Sequence, residues 1–427
     1  MRAISADARV RFDAADYGAT AVKEQHDRAR LAARPRVEQP PAQGAVRRRD
    51  GQVADHRQCA ERQVRHVLGR VELGARRGRR QVVHARARHV LQIAQEGTDI
   101  RTDKDLRHLV LPVAARRCGG AGGAYLWGVI RVVHHPDYVA PAPARSTYQW
   151  NKNGLVRDLL REHGDAIEWH QPDSMPRGWI EAVHEPGYVA EVIEVAVPRD
   201  KTRRIGFPVT AEVARRAQAV PGGTYLAARL ALTHGFAANT AGGSHHALAD
   251  TGAGFCVFND LAIAANCLVE EGTAARVLVV DCDVHQGDGT ASLLAGRPGL
   301  ATYSIHADKN FPVRKARSTV DVPLADGVRD DEYCAVLAET LLPLMDSFAP
   351  DLILYQAGVD PFVGDRLGRL ALTREGLVRR DHWIATLARE RGIPLASALG
   401  GGYGEDAMEV SERHVTSILT LGGVFAD

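Results

Sequence analysis

The chain has 427 residues, 45% hydrophobic and 25% charged, enough for one large core or two modest ones. No apolar run approaches the ~18 residues of a helical membrane span, no compact apolar h-region marks a secretory leader, and the six cysteines show no CxxC pairing, which fits a reduced, cytoplasmic compartment. The net charge of +2 hides an asymmetry: residues 1–125 carry 26 Lys+Arg against 14 Asp+Glu and the remainder 28 against 38, so the C-terminal part is acidic and poorly suited to nucleic acid.

Residues 1–125 lack sustained strand or helix patterning. Arginine runs such as Arg47-Arg48-Arg49 and Arg76-Arg77-Gly78-Arg79-Arg80 stand among Ala, Val, Gln and His, and lysine occurs only as Lys23 and Lys104. Three readings stand side by side. The segment is a disordered basic tail for anionic partners, a targeting segment, or an upstream extension that is not part of the natural protein. Scattered acids count against the second. Clear patterning begins near Val129, so the division expected is an Arg-rich extension over 1–128 and a folded domain over 129–427.

From Val129 onward strand-like runs (129–134, 236–240, 276–284, 300–306, 352–357, 394–399) alternate with helical ones (153–163, 211–219, 222–234, 260–271, 330–348, 374–391). This alternation predicts an α/β fold, a largely parallel central sheet flanked by helices. In such a sheet the site forms at the carboxyl ends of the strands, and the polar clusters of this sequence fall there.

After the run at 236–240 come Gly242-Gly243-Ser244-His245-His246-Ala247, adjacent imidazoles beside glycines that permit close backbone approach. Gly254-Phe255-Cys256-Val257-Phe258-Asn259-Asp260 follows, with Phe255 either core or channel wall. The run 276–284 leads into Val280-Asp281-Cys282-Asp283-Val284-His285-Gln286-Gly287-Asp288. Alternate residues of a strand share a face, so Asp281, Asp283 and His285 are expected to point one way. Carboxylate and imidazole together suit Zn²⁺ or a similar divalent ion. Ser304-Ile305-His306, Gln356-Ala357-Gly358-Val359-Asp360 and Gly400-Gly401-Gly402-Tyr403 end three further strands. Asp360 reads as a further metal ligand and Tyr403 as a hydroxyl presented on a permissive loop. His306 reads as structural, and His134-His135 as a pair without a functional role.

In order and spacing these motifs resemble the zinc-dependent histone deacetylase superfamily, which includes the acetylpolyamine amidohydrolases. The resemblance covers roughly residues 130–420 and is closest to the class IV branch and bacterial relatives. It implies an arginase-like single catalytic domain with Zn²⁺, or alternatively Fe²⁺, held by Asp283, His285 and Asp360. It further implies His246 as general base, His245 as its electrostatic or acid partner, and Asp288 and Asp281 as acceptors from the far nitrogens of His246 and His245. Tyr403 is the implied oxyanion donor. Phe255 and Phe311 wall the channel for an acyl-lysine stem, and Asp281 and Ser304 belong to a K⁺ site. The implied activity is hydrolysis of an acyl group, acetyl or longer, from the ε-amine of lysine.

Two departures bear on the substrate. Gln286 stands where a second His is common, and the stretch Ile205-Gly206-Phe207-Pro208-Val209-Thr210 lacks the rim acid with which many deacetylases grip a peptide backbone. An acidic domain with a narrow mouth would suit cationic small molecules, so an acetylpolyamine or other small-molecule amidohydrolase is the alternative. A dinuclear arginase-like hydrolase would need more carboxylate ligands and no Tyr403. A non-catalytic acyl-lysine binding module would have no use for the full ligand set.

Overall fold

The computed structural model describes residues 128–142 and 148–426. The readings made for residues 1–125 lie outside the described residues.

Eight strands form one sheet: β1 Ile130–Val133, β2 Ile167–His170, β3 Phe236–Asn239, β4 Val277–Asp281, β5 Leu300–Ala307, β6 Val320–Leu324, β7 Leu352–Gln356 and β8 Leu395–Ala398. Their order is β2-β1-β3-β8-β7-β4-β5-β6, and every neighbouring pair is parallel. A sheet covered on both faces needs strands that are apolar throughout. β4 (Val-Leu-Val-Val-Asp) and β7 (Leu-Ile-Leu-Tyr-Gln) are buried at every position.

The alternation of side chains sorts the core into two layers. Leu278 and Val280 join one cluster and Val277 and Val279 the other. The first cluster is covered by α1 (Lys152–Arg161), α8 (Asp330–Phe348), α9 (Arg374–Glu390) and α10 (Ala407–Phe425). The second lies under α2 (Arg177–Glu181), α3 (Pro186–Ile193), α4 (Arg199–Ile205), α5 (Ala211–His234), α6 (Asp260–Glu270) and α7 (Asp288–Leu294). Side-chain caps start several of them. Thr210, Asn259 and Thr373 accept from the backbone N–H of Val213, Ala262 and Gly376 at 3.3, 2.9 and 3.0 Å.

The six strands expected from the sequence are present, and β2 and β6 are additional. Both are edge strands, and β6 carries Pro323, which an edge tolerates. The helices expected at 211–219 and 222–234 are one helix, α5, running through Pro221. A proline inside a helix removes one ladder bond and crowds the preceding turn. Here the neighbouring carbonyls are satisfied from outside: Gln218 O accepts from Met175 N–H at 2.9 Å, and Val220 O from the Asn239 amide at 3.4 Å. No helix among the described residues is long and apolar enough to cross a membrane.

Candidate active site

The strand expected to reach residue 284 ends at Asp281, so Asp283 and His285 lie on the loop beyond it. Simple alternation therefore does not place them. Two local turns do: Asp283 N–H donates to Asp281 Oδ1 at 3.1 Å, and His285 N–H to Asp283 Oδ1 at 3.0 Å. The Nδ1 of His285 then lies 2.9 Å from Asp283 Oδ1 and 3.2 Å from Asp360 Oδ2, Asp360 arriving from the loop after β7. Asp283, His285 and Asp360 are all buried, and one potential ligand atom from each lies within 4.8 Å of the others.

The chemistry of this cluster suits a cation. Asp283 Oδ2 accepts from the Gln356 amide at 2.8 Å and from Gly401 N–H at 2.7 Å, and Asp360 Oδ1 accepts from Val284 N–H at 2.8 Å. Asp360 Oδ2 is buried with no well-aligned hydrogen bond among the described residues, His285 Nδ1 lying 3.2 Å away. A buried acceptor left alone is costly, and two buried carboxylates side by side oppose each other's ionisation. Burial and the Asp283 charge accordingly push Asp360 up to about 8. At Asp283, burial is outweighed by the His245 and His285 charges, and its carboxyl lies well below the usual range. Two carboxylates and one imidazole, buried with ligand atoms within 4.8 Å of one another, match a catalytic divalent site that keeps open positions.

Beside this cluster stand His245 and His246, on the loop after β3, with ring centroids 4.0 Å apart. His245 Nδ1 is 2.7 Å from Asp281 Oδ2, and His246 Nδ1 is 2.7 Å from Asp288 Oδ1. Burial penalises the charged form of both. At His245 the Asp281 and Asp283 carboxylates overcome that penalty and raise it to about 9. At His246 burial, reinforced by the His245 charge, holds it at about 4. The neighbouring carboxylates thus favour charge on His245, while burial disfavours it on His246. Close approach is secured at Gly254 (φ +52°): a Cβ there would come within 2.6 Å of the His246 ring and 3.1 Å of the Phe311 ring.

Tyr403 extends from the loop after β8. Its ring lies 5.7 Å from that of Phe255 and 6.3 Å from that of His285. Burial, with the charges of Asp283 and Asp360, raises the phenol well above its ordinary value, so it is a hydrogen-bond donor. Phe255 stacks on Phe207 at 6.3 Å, and Phe311 meets the His246 ring edge-on at 4.8 Å while remaining 44% exposed. Phe311 thus lies against the His246 imidazole, and Phe255 against Tyr403. Ser304 is in register with Asp281 across β4 and β5, and its hydroxyl is 3.0 Å from His306 Nδ1.

Every residue singled out in the sequence is therefore near the carboxyl end of the sheet. Four supports were not singled out. Gln356 ties Asp283 to the turn at Gly358. Asp260 accepts from the N–H groups of Gly243 and Ser244 and so shapes the His-pair loop. Asp365 accepts from Tyr403 N–H at 2.6 Å. Arg380, fully buried, donates to Cys282 O and Gly358 O. An uncompensated polar residue ending an apolar strand is the signal that could have found Gln356. A charge on the inward face of a helix is the one for Arg380.

Comparison with known proteins agrees with this geometry. The family model described as the histone deacetylase domain matches residues 146–419. The chain belongs to the histone deacetylase family. It is 45% identical over 285 residues to an uncharacterized protein of Picosynechococcus sp. (strain ATCC 27264 / PCC 7002 / PR-6), covering 66% of this chain and 95% of that one. It is 35% identical over 204 residues to histone deacetylase 2 of Arabidopsis thaliana, covering 47% of this chain and about half, 53%, of the plant protein. Among solved structures, an acetylpolyamine aminohydrolase from Burkholderia pseudomallei superposes with a TM-score of 0.58 at 23% identity, covering 69% of this chain and 98% of that one. The HDA15 HD domain does so with a TM-score of 0.58 at 20% identity, covering 69% and 88%. These two likenesses speak to the shared fold, the arginase/deacetylase-like arrangement of a parallel sheet between helical layers.

Proposed function

We propose that the protein removes an acyl group, acetyl or longer, from the ε-amine of lysine, with Asp283, His285 and Asp360 holding a divalent cation. The observation that carries this reading is the buried Asp283-His285-Asp360 cluster, with ligand atoms within 4.8 Å of one another, beside two carboxylate-bound imidazoles. Zn²⁺ and Fe²⁺ both suit this donor set. When bound, such a cation polarises an amide carbonyl and makes water more acidic.

The chain's own residues do the rest. Asp288 takes the Nδ1–H of His246, which leaves Nε2 as the basic atom to accept a proton from the attacking water. His245, held by Asp281, keeps positive charge beside the developing oxyanion, to which the Tyr403 hydroxyl donates. The proton gathered by the imidazole pair goes to the departing amine. Phe255 and Phe311 exclude water along the lysine stem. Asp281 and Ser304, adjacent in register, would hold K⁺.

The test is deacylation of lysine peptides bearing acetyl, octanoyl or myristoyl groups, with acetylpolyamines alongside, before and after chelation and with Zn²⁺ or Fe²⁺ added back. Metal-dependent release of amine from a peptide supports the reading. Turnover of acetylpolyamines alone would transfer the site to small molecules.

A further inference from the structure

The loops that frame the approach to Phe311, Phe255 and Tyr403 are basic, although residues 126–427 as a whole are acidic. The segment 203–208 lies against the channel wall: Gly254 N–H donates to Arg204 O at 3.0 Å and Phe255 N–H to Ile205 O at 2.8 Å. It exposes Arg203 and Arg204. The segment 308–317 carries Phe311 to His246 and brings Lys309, Arg314, Lys315 and Arg317 with it. The segment 362–369 is joined to Tyr403 through Asp365 and through Arg366 N–H, which donates to Tyr403 O at 3.4 Å, and it adds Arg366 and Arg369.

These three segments hold eight cationic side chains against two acids, Asp308 and Asp365. Asp365 is spent on the backbone N–H groups of Tyr403, Leu367 and Gly368. Asp326 offsets part of the excess, at 3.1 Å from Arg369 and 3.9 Å from Lys309. Even with Asp326 and Glu405 counted, a surplus of four positive charges remains. Among the described residues Arg203, Arg204, Arg314, Arg317 and Arg366 have no carboxylate within ion-pair distance, and all five are exposed.

Building on the hydrolase reading above, we infer that the mouth selects an acyl-lysine carried in an acidic polypeptide segment. Like charge disfavours a polyamine or a Lys/Arg-rich tail at this rim, whereas carboxylates flanking the acylated lysine meet unpaired guanidinium groups. The charges sit on three separate segments, tied to Phe255, His246 and Tyr403 respectively, a distribution suited to an extended chain with several carboxylates. Two apolar side chains, Phe311 and Val313 (97% exposed), leave room at the same rim for an uncharged neighbour.

The experiment uses the metal-loaded full chain and three peptides with the same acyl-lysine, flanked by Asp/Glu, by Ala/Gly or by Lys/Arg. The expected order of kcat/KM is acidic, neutral, basic, with a spread on the order of tenfold or more at low salt, carried by KM. Raising salt to about 0.5 M shrinks the Debye length and collapses the spread. A triple reversal, Arg314→Glu, Arg317→Glu and Arg366→Glu, inverts the order. Arg276→Glu, at the amino end of β4 on the opposite side of the sheet, leaves it as it was. A flat or basic-first ranking from an active enzyme overturns the inference and spares the hydrolase reading. No turnover of any peptide overturns both.

Discussion

Asp288→Asn isolates the role of the His246 partner. The carboxylate lies 2.7 Å from Nδ1, with both side chains buried. A hydrogen bond to a charged group contributes about 1.5–3 kcal/mol and a neutral one about 0.5–1.5, so neutralising the acceptor removes about 1–1.5 kcal/mol from the imidazolium that forms as the base takes its proton. That alone is a loss of roughly tenfold in kcat. If the amide turns its NH₂ towards Nδ1, the ring proton moves to Nε2 and the base is blocked, a change on the order of 10⁴-fold in a comparable His–Asp pair. The expected loss thus falls between these bounds, with KM little changed. Asp288 also raises the pKa of His246, so its removal moves the acidic limb of the kcat profile to lower pH. The assay is steady-state deacylation across pH with metal-loaded enzyme, circular dichroism confirming the fold. A kcat within twofold of wild type and an unmoved limb would refute the base assignment.

Three further outcomes are expected. Tyr403→Phe lowers kcat on the order of 10²-fold, the scale of one lost oxyanion donor; near wild-type kcat would refute its role. Free Zn²⁺ buffered at ~100 times Kd raises the Tm of metal-free protein by several degrees, since it stabilises by ~2.7 kcal/mol; Asp283→Ala abolishes the shift, and two tightly bound ions per chain would favour a dinuclear site instead. His184, whose Nδ1 faces Leu248 O and whose Nε2 accepts from Asn259 N–H, is neutral by geometry, and burial holds it at about 4. The unfolded chain binds that proton near 6.5, so the stabilisation is intact above that pH and is lost as pH falls towards about 4. Between pH 6.5 and 5 urea unfolding should show wild type losing ~2 kcal/mol more than His184→Gln, and parallel curves would discard this account.

The carboxyl-end location of the site was legible because apolar runs ending in acids and imidazoles are rare and directional. The position of Asp283 and His285 was not, because strand alternation gives way to Asx turns after Asp281 and those turns depend on side-chain to backbone bonds. The two edge strands were missed for a related reason: their burial comes from one neighbour only, so neither is uniformly apolar. α5 was read as broken at Pro221, yet it runs through, and Met175 and Asn239, distant in sequence, bond carbonyls beside the proline. Gln356 and Arg380 stand out locally as polar groups at apolar positions, but their partners Asp283, Cys282 and Gly358, like those of Asp260, are set by the fold and not by local pattern.

Asn310 accepts from Arg369 N–H at 3.0 Å and donates to Leu367 O at 2.5 Å. The two basic loops on that side of the mouth are therefore stitched to each other, and each also reaches the site, Phe311 at His246 and Asp365 at Tyr403. Exchanging one alone strands the amide of Asn310; exchanging both keeps that bond but must also preserve the ties of Ala316 to Gln286 and of Asp365 to Tyr403. A change in either rim loop is thus felt by its partner through Asn310 and by the chemistry through His246 or Tyr403, so selectivity and rate are coupled in this scaffold.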